Sequence, residues 1–224
     1  RLTKLSIPFE GPLDRFAEAA LTLRDPDGLE LEVVAVAGDP RPGWSNGDIP
    51  IEHSVRGFHA ATLSLDGHER TAGLITGSLG FRAGGETGRR FRFLAGDGAP
   101  GTIIDLVDEP SRARGNMGVG VVHHIAYRAA TDAVQLALQA TLAERGREVT
   151  PVLDRNYFRS IYFREPGGVL FEVATDAPGF AVDEPVAELG LHLKLPGWLE
   201  SHRAQIEEHV PPITVPPSNN PDAR

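Results

Sequence analysis

The residues best suited to metal chemistry are His124 and Glu172, which lie on two strand-like segments 48 residues apart (172 − 124). Glu172 stands between Phe171 and Val173, and a carboxylate in an apolar strand is costly unless it is hydrogen-bonded, paired or bound to a cation. A divalent metal shared with His124 meets that requirement. Two histidines and one carboxylate on one side of an iron are the usual ligands of non-haem Fe(II) oxygenases. We therefore take His124 and Glu172 as candidate metal ligands.

Two simpler interpretations stay open for these residues. A single histidine on a strand is more often solvated or hydrogen-bonded than bound to a metal. Glu172 could also form an ion pair with Arg128 or Arg155, both of which the sequence places nearby.

A second polar cluster spans Asp154–Glu165, between the two candidate ligands. The guanidinium of Arg155 could stabilise an anionic oxygen, and the phenol of Tyr162 could hydrogen-bond to one or transfer a proton to it. The alternative interpretation is a salt-bridged edge strand with no part in chemistry.

An internal repeat places these residues in a common framework. Two segments, 57–107 and 122–174, each read strand–helix–strand–turn–strand, with helices predicted over His68–Ser78 and Thr131–Arg145. The second predicted helix is followed by Gly146, a usual residue at a helix C-terminus. Each segment has a histidine on its opening strand and a carboxylate on its closing strand. In the first segment these are His59 and Asp105, 46 residues apart (105 − 59).

Only the end of a third copy is present. Asp25–Gly28 and the following Leu29–Val33 align with the turn and closing strand around Glu172, and Glu32 falls opposite Glu172. We expect the opening strand and helix of this copy to lie before Arg1.

The repeat predicts an α+β fold of βαββ modules whose mixed sheets curve into clefts. The expected organisation is an N-terminally truncated module in residues 1–38, a complete module in 51–110, a metal-site module in 118–180 and a C-terminal extension in 181–224. We expect the proline-rich end from Pro211 to Arg224 to be disordered.

Composition excludes several classes of function. The 224 residues contain no cysteine, so a metal must be held by His, Asp and Glu rather than by thiolates. A net charge of −9 argues against nucleic acid or an anionic membrane as a partner. With no membrane-length apolar run or signal peptide, a soluble cytoplasmic protein is expected. The remaining histidines are expected at the surface: His53, His68, His192, His202 and His209.

The segments His123–Arg128, Thr150–Arg155 and Tyr162–Asp176 together resemble the C-terminal module of glyoxalase-like ring-cleaving dioxygenases of the vicinal-oxygen-chelate superfamily. The branch that acts on hydroquinones is the most similar, and the likeness extends from about Leu13 to Pro211. The long string around Tyr162–Asp176 is specific, whereas an isolated pair of histidines would not be.

The resemblance implies an Fe(II) enzyme, with Mn(II) as an alternative metal, that cleaves a hydroquinone or catechol-like ring with O2. It implies that His124 and Glu172 bind the metal and that His123, Arg155 and Tyr162 surround the bound hydroquinone. Family members have four modules, and a further metal histidine comes from the first, which has no counterpart here. Without the first module, one face of the metal-site module's sheet would be exposed. We expect a second copy of the chain as an alternative partner for that face, in a homodimer.

Two other functions are compatible with the same scaffold, because a fold does not fix the chemistry. One is a glyoxalase or another isomerase. The other is a small-molecule binding protein of the bleomycin-resistance type, which requires no metal.

Overall fold

The computed structural model describes residues 1–45 and 49–212. Within them the chain forms three β-sheets. The first is a three-stranded antiparallel sheet of order β1-β2-β3. Its strands are β1 (Phe9–Arg15), β2 (Glu18–Arg24) and β3 (Glu30–Ala35). Most of the tail predicted to be disordered, from residue 213 onward, lies outside the described residues, as do residues 46–48 of a turn-rich linker.

The other two sheets have four strands each and share one topology. Their orders are β4-β7-β6-β5 and β8-β11-β10-β9, with the first two strands of each sheet parallel and the rest antiparallel. The strands are β4 (Ala60–Leu65), β5 (Arg82–Thr87), β6 (Arg90–Leu94), β7 (Ile103–Asp108), β8 (Ile125–Ala129), β9 (Leu153–Asp154), β10 (Arg159–Arg164) and β11 (Leu170–Thr175). The predicted α+β fold with mixed sheets is confirmed.

One α-helix follows the opening strand of each four-stranded sheet. These helices are α1 (Glu69–Ser78) and α2 (Asp132–Glu144), and a short α3 (Arg203–His209) lies in the C-terminal extension. Thr131 caps α2 by accepting a hydrogen bond from the backbone N–H of Val134 at 3.2 Å. Past the end of α2, Gly146 adopts a positive φ of 75°, which a glycine tolerates without steric cost.

The hairpin turns of the first and third sheets have the same hydrogen bonds. In the third sheet, the Glu165 carboxylate accepts hydrogen bonds from the backbone N–H groups two and four residues later, at 2.8 and 2.7 Å. Asp25 makes the same pair of contacts in the first sheet, at 2.9 and 2.8 Å. Because register follows from the hairpin, Glu32, Asp105 and Glu172 occupy equivalent positions, opposite Thr22, Arg92 and Tyr162 respectively.

The apolar core lies between the two four-stranded sheets and their helices. Leu74 and Ile75 of α1 and Leu142 of α2 are buried there with the helix-facing residues of the strands. Val33 of the first sheet is 50% exposed, whereas its counterparts, Leu106 and Val173, are 0% and 1% exposed. The difference arises because no helix of the described residues covers that face of the first sheet.

Some local predictions were incomplete or wrong. The sequence analysis did not identify β5, whose Gly84 and Gly85 interrupt the apolar alternation that marks a strand, nor the short β9. His68 is not a surface residue: its side chain is 17% exposed and its ring stacks on Phe91. None of the helices in the described part of the chain has the length and hydropathy needed to cross a bilayer.

Candidate active site

Glu172 lies at the centre of the third sheet. Its strand, β11, pairs with β10 on one side and with β8 on the other, so that Glu172 stands between Tyr162 and Ala126. The residue is 3% exposed, and its neighbours Phe171 and Val173 point into the apolar core on the opposite face. Side-chain alternation along β11 therefore directs this one carboxylate away from the core, to the sheet face that it shares with Tyr162 and Ala126.

Both oxygens of the Glu172 carboxylate have a partner. The Tyr162 hydroxyl donates a hydrogen bond to Glu172 Oε1 at 2.7 Å, and His124 Nε2 lies 2.7 Å from Glu172 Oε2. The rings of His124 and Tyr162 are nearly perpendicular, with centroids 6.0 Å apart. The three side chains form one continuous hydrogen-bonded chain.

His123 extends this chain on the other side of His124. The Nδ1 atoms of the two imidazoles are 2.9 Å apart, and the rings meet edge to face. A metal on His124 Nε2 would require the proton of that ring to be on Nδ1, which would then donate to His123 Nδ1. A ligating histidine is usually held in this way, by a hydrogen bond from its second nitrogen.

Arg155 lies beside the phenol of Tyr162. Its guanidinium carbon is 5.3 Å from the ring centroid, a cation–π distance. The residue is exposed, and none of the ion pairs within residues 1–45 and 49–212 involves it. The positive charge of Arg155 is therefore available to an anion that binds beside Tyr162.

The structure thus brings all five residues singled out in the sequence into one network of contacts: His123, His124, Arg155, Tyr162 and Glu172.

Neither arginine that could have paired with Glu172 does so. Arg128 instead binds Asp176, with nitrogen–oxygen distances of 2.6 to 2.8 Å. Arg155 contacts the ring of Tyr162 and not the carboxylate. The proposed salt-bridged edge strand accounts for Arg159, which pairs with Asp132, but leaves Arg155 and Tyr162 unexplained.

The types of donor atom at His124 and Glu172 suit a divalent metal, but two protein ligands are fewer than such a site needs. A neutral imidazole nitrogen and a buried carboxylate are donors that iron and manganese accept. However, the described residues contain no group of three or more His, Asp or Glu side chains placed to hold one ion. His124 and Glu172 could therefore supply two donors, and a metal site here would need at least one more.

The second copy of this arrangement differs from the sequence prediction in register. Thr62 pairs with Asp105, as Ala126 pairs with Glu172. Counting back along the opening strands, His124 corresponds to Ala60, and His59 corresponds to His123. The proposed equivalence of His59 and His124 is wrong by one residue, and in a strand one residue reverses the direction of the side chain. His59 accordingly bonds to Glu18 at 2.8 Å and makes no contact with Asp105.

Guanidinium groups fill the centre of this second cleft. Arg90 lies 2.9 Å from Glu32 and 3.1 Å from Asp105, so it joins the equivalent carboxylates of the first and second sheets. Arg92 also binds Asp105, at 2.9 Å, and Glu18, at 2.7 Å. Burial alone would lower the pKa of Arg92, but its hydrogen bonds to the two carboxylates outweigh burial and raise it. The alternating Arg-Phe-Arg-Phe of β6 is the sequence pattern that could have indicated these ion pairs.

Comparison with known proteins identifies the family. The model of the Glyoxalase/Bleomycin resistance protein/Dioxygenase superfamily matches residues 57–173, which include the opening strands and Glu172. The chain belongs to this superfamily.

Its curated relatives within the superfamily are named as ring-cleaving enzymes. MhqO of Bacillus subtilis strain 168, provisionally named a ring-cleaving dioxygenase, is 42% identical over 96% of this chain and 68% of its own length. The chlorohydroquinone/hydroquinone 1,2-dioxygenase of Sphingobium indicum is 30% identical over 92% of this chain and 65% of its own length. The crystal structure of a provisionally named dioxygenase from Bacillus subtilis superposes with a TM-score of 0.87 at 42% identity, covering 96% of this chain and 68% of that one.

The relatives support the prediction that this superfamily member is an enzyme. The chain spans about two thirds of the length of the relatives it matches. The superfamily is typically metal-dependent, in agreement with the donor types found at Glu172 and His124.

Proposed function

We propose that the protein is an Fe(II)-dependent, extradiol-type ring-cleaving dioxygenase that acts on hydroquinone or catechol-like aromatics. The observation that carries this proposal is the buried Glu172 carboxylate, held between the Tyr162 hydroxyl and His124 Nε2. The names of the curated relatives support the same reaction and an aromatic substrate with O2 as co-substrate.

On this proposal, His124 and Glu172 hold the metal. When bound, Fe(II) supplies a Lewis acid and an electron donor to O2. The Tyr162 hydroxyl fixes Glu172 Oε1, so that the carboxylate presents its other oxygen toward His124. His123 fixes the tautomer of His124 by accepting a hydrogen bond from His124 Nδ1–H at its own Nδ1. A third protein donor comes from outside the described residues.

The remaining side chains of the site, Arg155 and Tyr162, bind and orient the substrate. The guanidinium of Arg155, with no carboxylate partner, attracts the negative charge of an ionised ring hydroxyl and orients that oxygen toward the metal ligands. The Tyr162 hydroxyl donates its one proton to Glu172 Oε1, and its oxygen can accept a hydrogen bond from a substrate hydroxyl. Because the Arg155 guanidinium carbon lies 5.3 Å from the centroid of the Tyr162 ring, the two side chains would contact neighbouring parts of the bound ring.

The test is an oxygen-electrode assay on the protein produced from its complete reading frame. Stoichiometric O2 consumption with hydroquinone or a substituted hydroquinone is expected. Formation of lactoylglutathione without O2 consumption would instead establish a glyoxalase-type isomerase. Tight binding of an aromatic compound by metal-free protein, with no turnover, would establish a binding protein. Intact-mass and sedimentation measurements on the same sample test for the homodimer.

A further inference from the structure

Along the edge of β10 beside the candidate active site, a side-chain hydroxyl provides one of the hydrogen bonds that a neighbouring strand would normally provide. The short strand β9 pairs only with Arg159 and Ser160. Further along, both backbone groups of Tyr162 bind Thr150: the Tyr162 N–H donates to Thr150 Oγ1 at 3.0 Å, and the Tyr162 carbonyl accepts from the Thr150 N–H at 3.0 Å. A side-chain hydroxyl therefore takes the place of a main-chain carbonyl at the residue that bears the phenol.

The local sequence explains why a hydroxyl is needed. Thr150 precedes Pro151, which has no N–H to donate, and a residue before proline is held in an extended conformation. The regular ladder is interrupted there, since Val149 forms only an isolated bridge to Phe163. Without the Thr150 hydroxyl, the partly buried N–H of Tyr162 would lose its hydrogen-bond partner.

Helix α2 holds this contact from behind. Gln139 Nε2 donates to the carbonyl of Thr150 at 2.6 Å. One helical turn earlier, the buried Gln135 donates from Nε2 to the carbonyl of Val173, the residue after Glu172, at 2.8 Å. Both partners of the Tyr162–Glu172 hydrogen bond are thus tied through polar contacts to the same helix.

The equivalent module of the second sheet lacks these ties. Its helix α1 has the sequence ERTAGLITGS, with no glutamine or asparagine, and the residue equivalent to Tyr162 is Arg92. The buried polar residue of α1, Thr71, bonds instead to Glu165 of the neighbouring module, at 2.5 Å. Since the βαββ fold forms there without a glutamine–threonine tie, the fold itself does not require one.

We propose that Thr150 and Gln139 are positioning residues, which fix the backbone of Tyr162 so that its hydroxyl reaches both Glu172 and the substrate. The inference rests on the proposed dioxygenase function and adds two residues, outside the reacting groups, that set the rate of that reaction. A displacement of about 1 Å at a reacting group commonly costs as much as 100-fold in rate.

The test compares isosteric variants in the protein from its complete reading frame. Thr150→Val removes the hydroxyl and retains the shape, and we expect kcat to fall by about 10- to 100-fold with metal content unchanged. Thr150→Ser restores the acceptor and should restore most of the turnover. Thr141→Val is the matched control, because the Thr141 hydroxyl bonds only to the Ala137 carbonyl within α2. If Thr150→Val does not fold, Gln139→Leu replaces it.

A double-mutant cycle with Tyr162→Phe separates positioning from general stability. If Thr150 acts through the Tyr162 hydroxyl, Thr150→Val should cause little further loss of kcat once Tyr162→Phe is present. Equal losses in the two backgrounds, or an unchanged kcat in Thr150→Val alone, would overturn the inference while leaving the proposed function intact. An unchanged kcat in Tyr162→Phe alone would instead overturn the part assigned to tyrosine in the proposed function.

Discussion

The hydroxyl of Tyr162 lies 2.7 Å from Glu172 Oε1, directly across an antiparallel strand pair. The two residues are exact partners in register, so the sheet itself fixes their separation. His124 takes the other oxygen of the same carboxylate. In the proposed function, the Tyr162 hydroxyl would therefore both restrain a metal ligand and contact the substrate.

Tyr162→Phe tests that coupling. Removing the hydroxyl deletes the hydrogen bond to Glu172 and the oxygen that would accept a hydrogen bond from the substrate, but it removes neither proposed metal ligand. We expect turnover of the best hydroquinone to fall by about 10²–10⁴-fold, the usual contribution of a positioned acid–base group, with metal content near that of the wild type. Oxygen uptake and elemental analysis of one sample provide both values.

Tyr157→Phe is the matched control, since the Tyr157 hydroxyl bonds to Asp183 and not to Glu172. This variant should retain wild-type turnover. Full activity in Tyr162→Phe would remove the tyrosine from the mechanism.

Arg155→Met tests the cation that has no carboxylate partner. We expect kcat/KM for hydroquinone to fall by about 10-fold or more, or at least 1.4 kcal/mol, because the ionised substrate loses its guanidinium contact. Arg159→Met is the control: Arg159 is also exposed and precedes Tyr162 by three residues, but it pairs with Asp132. Equal effects of the two substitutions would show that general charge, and not the place of Arg155, determines the rate.

The contacts around Glu172 were easier to predict from the sequence than the structure that surrounds them. His124, Glu172 and Tyr162 were identifiable because a carboxylate in an apolar strand demands a partner, and because strand alternation fixes which residues share its face. The equivalence of His59 with His124 failed, since a one-residue error in register cannot be detected from spacing alone. The bond between Thr150 and Tyr162 joins segments whose pairing depends on tertiary structure, so no local pattern could have indicated it.

The second cleft offers a prediction about stability. Arg90→Met should destabilise the protein by about 1.5–3 kcal/mol, the usual range for hydrogen bonds to charged groups, because Arg90 joins Glu32 to Asp105. The loss is not larger because Glu32 keeps its ion pair with Arg15 and Asp105 keeps its ion pair with Arg92. Equilibrium denaturation of the wild type and the variant measures the change in the free energy of unfolding.

Arg112→Met is the control for charge removal, because Arg112 forms exposed ion pairs with Glu30 and Glu109 that should contribute at most about 1 kcal/mol. Comparable effects of the two variants would contradict a structural function for Arg90. The Arg90 network also predicts that the second cleft takes no metal in the wild-type protein, and anomalous scattering beside Asp105 would refute this.

The metal content of Glu172→Gln shows whether the Glu172 carboxylate binds a catalytic metal. The protein from its complete reading frame should carry about one Fe or Mn per chain, and this substitution should remove most of it along with O2 uptake, since an amide is a far weaker donor than a carboxylate. Glu184→Gln is the matched control, as Glu184 is also buried and paired with a histidine, His192. We expect metal loss in Glu172→Gln and metal retention in Glu184→Gln. Full metal occupancy in Glu172→Gln would show that Glu172 is not a metal ligand.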